Sequence, residues 1–246
     1  MLTYFPPRYL FRRYEILRQI RPATNFLEIG AGNLQLSQEL LHYFEQGKAL
    51  DFAQTTQADY AKLPLAIRER LSFSAGDFNQ LELADNYDCI VCCEVMEHVA
   101  DDLAFLSKLH ALLKRKGQIV LSVPARMRFW SIHDDIVGHL RRYEKVQLLE
   151  LFKQVGFQQV HIISYGYPFV NLFKVLRISH AKTQYEEKRQ WVQQQQTQAS
   201  GVAPVASYFK WFGILVNPYT FLPFNWLARL FNDYDLSDGY LVTAYK

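Results

Sequence analysis

The chain has 246 residues, half of them apolar, and a formal net charge of +3. That length holds one large α/β domain with a small appendage, and so mild a charge argues against a dedicated nucleic-acid binder, which would show a basic stripe or domain. Cys89, Cys92 and Cys93 fall in one strand-like run whose alternate side chains face opposite ways, so they read as buried thiols rather than a redox or metal set. No apolar signal core follows Met1 to Pro7, which gives the expectation of a reducing cytoplasm.

In chain order, Leu10, Phe11, Tyr14, Leu17 and Ile20 predict an amphipathic helix over 8–20, ending before Pro22. A strand is expected at 24–29 and a helix at about 33–45, on Leu34, Leu36, Leu40 and Leu41. A strand at 47–52, a helix at about 57–68 and a strand at 71–75 follow, then a strand at 87–94. The next helix is set at 101–114, with Asp101 and Asp102 in its first turn and Lys114 and Arg115 in its last. A strand at 116–124, a helix at 144–155 stopped by Gly156, and strands at 157–165 and 239–245 complete the pattern. Such alternation implies a doubly wound, mostly parallel sheet with its ligand at the carboxyl ends of the strands.

Residues 166–238 break the alternation. Tyr167 to Ile178 and Tyr208 to Phe231 are apolar and aromatic, and the Gln-rich stretch Gln184 to Ser200 lies between them. Asn217, Pro218 and Pro223 interrupt the longer piece, which lacks the roughly 20 apolar residues of a membrane span. The expected boundaries are therefore an N-terminal helix at 1–21, a main domain at 22–165 plus 239–246, and an insertion at 166–238. That insertion is a packed helical subdomain, a cap over an apolar substrate carrying Phe209, Trp211, Phe212, Phe221, Phe224 and Trp226, or a lipid-touching surface.

The most informative stretch is Thr24-Asn25-Phe26-Leu27-Glu28-Ile29-Gly30-Ala31-Gly32-Asn33. An apolar strand runs into an acid and a Gly-x-Gly turn where backbone can approach a ligand closely. A dinucleotide site would add a third glycine at position 35, which is Gln35, and Glu28 would repel phosphate and attract a cation. Glu28-Ile29-Gly30-Ala31-Gly32 resembles motif I of the class I S-adenosylmethionine (SAM) methyltransferases. Ser74-Ala75-Gly76-Asp77-Phe78, Tyr87 to Glu94 and Lys116 to Pro124 resemble later segments of that family in the same order. The resemblance implies a Rossmann-like seven-stranded sheet with an antiparallel last strand. It also implies a SAM site drawn from Glu28, Gly30, Gly32, Asn33, Asp51, Asp77, Phe78 and Glu94, with Asp51 at the spacing that reaches ribose hydroxyls.

Glu94-Val95-Met96-Glu97-His98 is the densest candidate for chemistry, because i, i+3 and i+4 share a face in a helical conformation. Many family members carry Glu-x-x-Glu-His as hydrogen-bonded scaffold. Ubiquinone-pathway O-methyltransferases and small-RNA 2′-O-methyltransferases, which look similar here, use it with a further histidine for a metal. His139 would supply that fourth group, so Glu94, Glu97, His98 and His139 could hold Mg²⁺ or another divalent ion. Without a metal, His98, His133 or His139 could serve as general base, whereas His42, His110, His161 and His180 read as structural or solvated. Arg126, Arg128, Arg141 and Arg142 fit either an anionic substrate group or ion pairs, and Arg12, Arg13 and Arg18 read as surface ion pairs.

The expected activity is SAM-dependent O-methylation of a hydrophobic or aromatic small molecule, free or carrier- or lipid-linked, by a cytoplasmic protein, with peripheral attachment to the inner membrane left open. C- or N-methylation with a histidine base and a non-catalytic SAM-binding subunit are the alternatives. A nicotinamide oxidoreductase is disfavoured by the missing glycine.

Overall fold

The computed structural model describes residues 5–83, 86–174 and 216–246. Seven strands, β1 (Ala23–Ile29), β2 (Phe44–Asp51), β3 (Leu71–Ala75), β4 (Tyr87–Cys93), β5 (Leu113–Pro124), β6 (Gln158–Ser164) and β7 (Gly239–Tyr245), form one sheet in the order β3-β2-β1-β4-β5-β7-β6. β1 to β5 pair in parallel, and β7 runs antiparallel to both β5 and β6. This is the expected α/β architecture. The order reverses between β1 and β4, so the crevice at their carboxyl ends is the switch point where open α/β sheets take their ligands.

Helices cover both faces: α1 (Pro7–Gln19), α2 (Gln35–Leu40), α3 (Gln54–Ala61), α4 (Leu65–Arg68), α5 (Asp102–Leu112), α6 (Ile132–Val137), α7 (Lys145–Val155) and α8 (Leu222–Arg229). Alternate residues of the central strands feed two cores. Leu27, Ile29, Ile90 and Cys92 pack with Phe105, Leu109, Leu148 and Phe152 under α5 and α7. Phe26, Cys89, Val91 and Cys93 pack with Leu10, Phe11, Ile16 and Leu40 under α1 and α2. A strand buried on both faces needs the near-continuous apolar run that β4 has. The three thiols are divided between the cores, and burial pushes that of Cys93 up to about 12.

Several element boundaries differ from the sequence expectation. The helix set at 33–45 is only α2, six residues long, and β2 begins at Phe44 rather than 47. Arg70 explains the early end: its guanidinium donates to the carbonyls of Leu41, Phe44 and Glu45, which a longer helix would have bonded internally. Pro64 splits the helix set at 57–68 into α3 and α4. The helix set at 101–114 stops at Leu112, and β5 begins at Leu113, where Lys114 pairs with Asp88 at 2.9 Å instead of closing a helix. Residues 132–137, read as loop, form α6 with a Ser131–Asp134 capping box and Gly138 as its left-handed C-cap. Among the described residues no helix is long and apolar enough to cross a membrane.

Candidate active site

The turn after β1 is held from both sides. Gly30 and Ala31 donate to the carbonyl of Leu50 at 2.9 and 3.2 Å, and Gly32 donates to Asp51 Oδ2 at 2.8 Å. Gly30 has φ +74°, and a Cβ there would lie 2.4 Å from Val95 Cγ2, so β1 and the end of β4 touch through a missing side chain. Gly32 also has positive φ, +52°, but a Cβ would meet nothing within 4 Å, which leaves open space in front of its backbone. Asp51 accepts a second N–H from Ala53 at 2.8 Å and is nearly buried. Glu28 lies behind the turn, 3% exposed, with the Ser37 hydroxyl donating to it. Burial is the main cause that lifts its carboxyl to about 8, the nearby Asp51 adds to the rise, and Ser37 and Arg12 oppose it.

Of the remaining expected cofactor residues, Asn33 is exposed and caps the turn into α2 through a 3.2 Å bond from Gln35 N–H. Asp77 is exposed just past β3 and accepts from Asn79 N–H at 2.9 Å. Phe78 points the other way. Its ring packs edge-on to Phe105 at 5.1 Å, and Lys108 holds its carbonyl at 2.6 Å.

Glu94 ends β4 with φ +56°, a conformation that costs a non-glycine residue about 1–2 kcal/mol. That kink breaks the expected helical spacing and turns Glu94 toward α1. There Arg8 and Arg12, one helical turn apart, reach its two oxygens at 3.1 and 3.3 Å, and Ser122 donates at 3.1 Å. Burial opposes ionisation, but the two guanidiniums outweigh it and hold the carboxyl at about 2. Arg8 also bonds Tyr165 Oη at 3.2 Å and faces Asp238 at 3.6 Å. The expectation that Arg12 serves a surface pair is corrected here, whereas Arg18 pairs within α1 with Glu15 and Arg13 pairs across to Glu39 of α2. Sequence reasoning passed over Arg8. The Arg8/Arg12 spacing on an amphipathic helix was the available signal.

Glu97, His98 and His139 come together beyond that kink. Their ligand-type atoms all lie within 4.8 Å of one another, and the two imidazoles meet edge to face at 4.9 Å. Glu97 is fully buried and neither of its oxygens accepts a hydrogen bond, the nearest approach being His139 Nε2 at 3.7 Å. Burial, and then the neighbouring Glu94, push its carboxyl well above the ordinary carboxylate range. Burial, and then His139, push His98 down to about 4. Glu94 is not in this group. The structure thus gathers three of the four expected ligands and directs the fourth to arginine.

Several other expected participants lie elsewhere. His133 sits in the first turn of α6, outside the group. Arg141 bonds Asp102 and the Ala100 carbonyl, each at 2.8 Å, and Arg142 is buried on Asp134, so both take the ion-pair alternative. Arg126 is likewise buried, donating to the carbonyls of Asp235 and Ser237. From the aromatic segment, Phe169 stacks on Phe11 at 5.7 Å and Phe221 packs edge-on to it at 5.5 Å, against α1. Phe224 and Trp226 are 45% and 64% exposed, while Phe209, Trp211, Phe212, His180 and the Gln-rich stretch lie outside the described residues.

A sheet of this order with a glycine turn and acid at its switch point is shared by many enzymes, and comparison with known proteins decides among them. The methyltransferase-domain family matches residues 4–162, which include α1, the glycine turn and the Glu94–His98 segment. The chain belongs to the SAM-dependent methyltransferases. Among curated relatives, "Probable S-adenosylmethionine-dependent methyltransferase" of Mycolicibacterium smegmatis is 27% identical over 61% of this chain and 60% of its own length. Ubiquinone biosynthesis O-methyltransferase of Pseudomonas aeruginosa is 29% identical over 40% of this chain and 34% of its own length. The chain thus spans between a third and three fifths of these two relatives. Phosphoethanolamine N-methyltransferase 2 of Haemonchus contortus, solved with SAM, superposes with a TM-score of 0.59 at 15% identity, covering 96% of this chain and 52% of that one. The [4+2]-cyclase SpnF superposes at 0.55 and 17% identity over 95% and 79%, so the shared fold alone does not fix the reaction.

Proposed function

We propose that this methyltransferase transfers the methyl group of SAM to an oxygen of a hydrophobic or aromatic acceptor, free or carrier- or lipid-linked, with a divalent ion at Glu97, His98 and His139. The observation that carries the reading is the buried carboxyl of Glu97, neither oxygen hydrogen-bonded, gathered with two imidazoles within 4.8 Å. An isolated buried carboxylate is costly, and a cation removes that cost. Two imidazole nitrogens and one carboxylate suit a first-row transition ion, Mn²⁺ at the hard end or a borderline ion such as Co²⁺ or Zn²⁺, better than Mg²⁺. A bound divalent ion would lower the pKa of an acceptor hydroxyl, as it does for water. For His98 the histidine-base alternative gains little support, since a ring near 4 is a weak proton acceptor at neutral pH.

On this reading Gly30, Gly32 and Asp51 hold SAM in the crevice, with Asp77 at its rim and Glu28 behind the turn. Arg8 and Arg12 keep Glu94 ionised beside the cofactor. α1 and the described residues of the insertion wall the acceptor side, a role supported by the contacts of Phe11 with Phe169 and Phe221.

Calorimetry and a transfer assay with labelled SAM test both halves. SAM binding at pH 7 should release protons, because its cationic end would draw Glu28 down from about 8, and affinity should rise as pH approaches that value. Transfer to a panel of catechols, phenols and aliphatic alcohols should fall at least about tenfold on chelation and return with Mn²⁺. Full activity in chelator would remove the metal, and absence of SAM binding would remove the cofactor site.

A further inference from the structure

His139 reaches the Glu97 group from a segment of its own, and what holds it there differs from ordinary packing. Its Nδ1 lies 2.8 Å from Asp134 Oδ1. Asp134 is fully buried and receives only donors: Arg142 Nε on Oδ1 at 2.8 Å, Arg142 Nη2 on Oδ2 at 3.1 Å, and Ser131 N–H and hydroxyl on Oδ2 at 2.8 and 3.1 Å. Arg142 is itself 2% exposed and fixed by the carbonyls of Ala125 and Asp238 at 3.0 and 3.4 Å. His98 is treated alike. Its Nδ1 lies 3.1 Å from the carbonyl of Gly138, the residue that caps α6.

A carbonyl oxygen can only accept, and so can an ionised carboxylate. Both imidazoles must therefore carry a proton on Nδ1, and in the neutral ring that leaves Nε2 as the lone-pair nitrogen. A ring with the opposite tautomer would bring an N–H where a lone pair is needed. We infer that α6 with its Gly138 cap is an orienting device for the site, in which Asp134, gripped by Arg142, is a positioning residue that fixes the tautomer and direction of His139. The inference rests on the reading of Glu97, His98 and His139 as a metal site, but its structural content, the tautomer, exists without metal.

Asp134→Asn separates positioning from bulk. Three donors converge on Oδ2 and two on Oδ1, so the new amide should place its NH₂ on the Oδ1 side, where it faces His139 Nδ1. That ring should then switch its proton to Nε2 while His98, held by Gly138, does not change. Nitrogen-15 NMR of the metal-free protein at pH 8, with Co²⁺ titrated separately by visible absorption, reads both levels. Expected are Nδ1–H tautomers for both histidines in the wild type, a switch confined to His139 in the variant, and Co²⁺ affinity about 10–100-fold weaker with SAM affinity unchanged. A wild-type His139 protonated on Nε2, or on both nitrogens, overturns the inference whether or not the variant folds. So does a variant that binds Co²⁺ as tightly as the wild type. If the wild type binds no Co²⁺, the metal reading fails, and the tautomer measurement still decides the inference.

Discussion

Glu94 and Glu97 stand three residues apart on one connection, the first part-buried and the second fully buried, and the protein treats them in opposite ways. On the α1 flank two guanidiniums and a hydroxyl surround Glu94 and keep it charged at almost any pH the protein survives. On the imidazole flank neither oxygen of Glu97 accepts a hydrogen bond, and burial pushes its carboxyl well above the ordinary carboxylate range. The difference teaches that burial alone does not decide whether a carboxylate is a structural anion or a vacant ligand. The supply of donors decides, and here it comes from α1, far away in the chain.

The largest expected effect lies at the contact between the flanks. Gly30→Ala would drive a Cβ into Val95 at a backbone angle that L-residues avoid. It should cost about 3 kcal/mol and abolish SAM binding, measured by chemical denaturation and calorimetry. Gly32→Ala meets no atom and should cost only about 1 kcal/mol, yet still weaken SAM if the cofactor fills that space. Equal losses at the two positions would show that the open space at Gly32 is not where the ligand sits.

Next come the carboxylates. Glu94→Gln strands two arginines and should cost about 2 kcal/mol, less than the roughly 3–5 kcal/mol for breaking a fully buried pair because the amide still offers an oxygen. Since the folded protein depresses Glu94, its contribution is present above the unfolded value of about 4.3 and fades as pH falls toward 2. Glu97 has the opposite sign. Its raised folded value means that stability is lost as pH climbs past about 4.3, so Glu97→Gln should stabilise the metal-free protein at pH 7, about 2–4 °C in Tm for each kcal/mol gained, while abolishing Co²⁺ binding. Thermal melts that move the same way for both variants would erase the contrast. Smallest of all, Lys62→Ala removes an exposed pair with Asp59, remote from both flanks, and should change stability by less than about 0.5 kcal/mol.

How far the sequence reveals this follows the range of the interactions. The glycine turn, its acid and the strand order are local or repetitive signals, and they read directly as a methyltransferase sheet. Glu97, His98 and His139 were visible as chemistry-bearing residues, and the fold joins them. What the spacing concealed was the separation of Glu94 from Glu97, because a positive φ at residue 94 replaces helix geometry, and the arginines that exploit it come from residues 8 and 12. The end of α2 was hidden for the same reason, since Arg70 caps it from another element. Pro64 was legible and simply outweighed by the apolar pattern around it. Asp134 and Arg142 lie only eight residues apart, but nothing in their identities announces that one buries itself upon the other.

β7 is the last strand in chain order and yet it lies between β5 and β6. During synthesis the ribosome therefore releases β6 with nowhere in the sheet to dock, and the Arg8, Arg126 and Arg142 side chains emerge long before residues 235–238, which receive them. The glycine crevice and the Asp134–Arg142 clamp are built from residues that precede β6, but the far edge of the sheet must wait for translation to reach β7. Assembly thus has a built-in order, in which the strands around the crevice can pair before the two that close the far edge of the sheet.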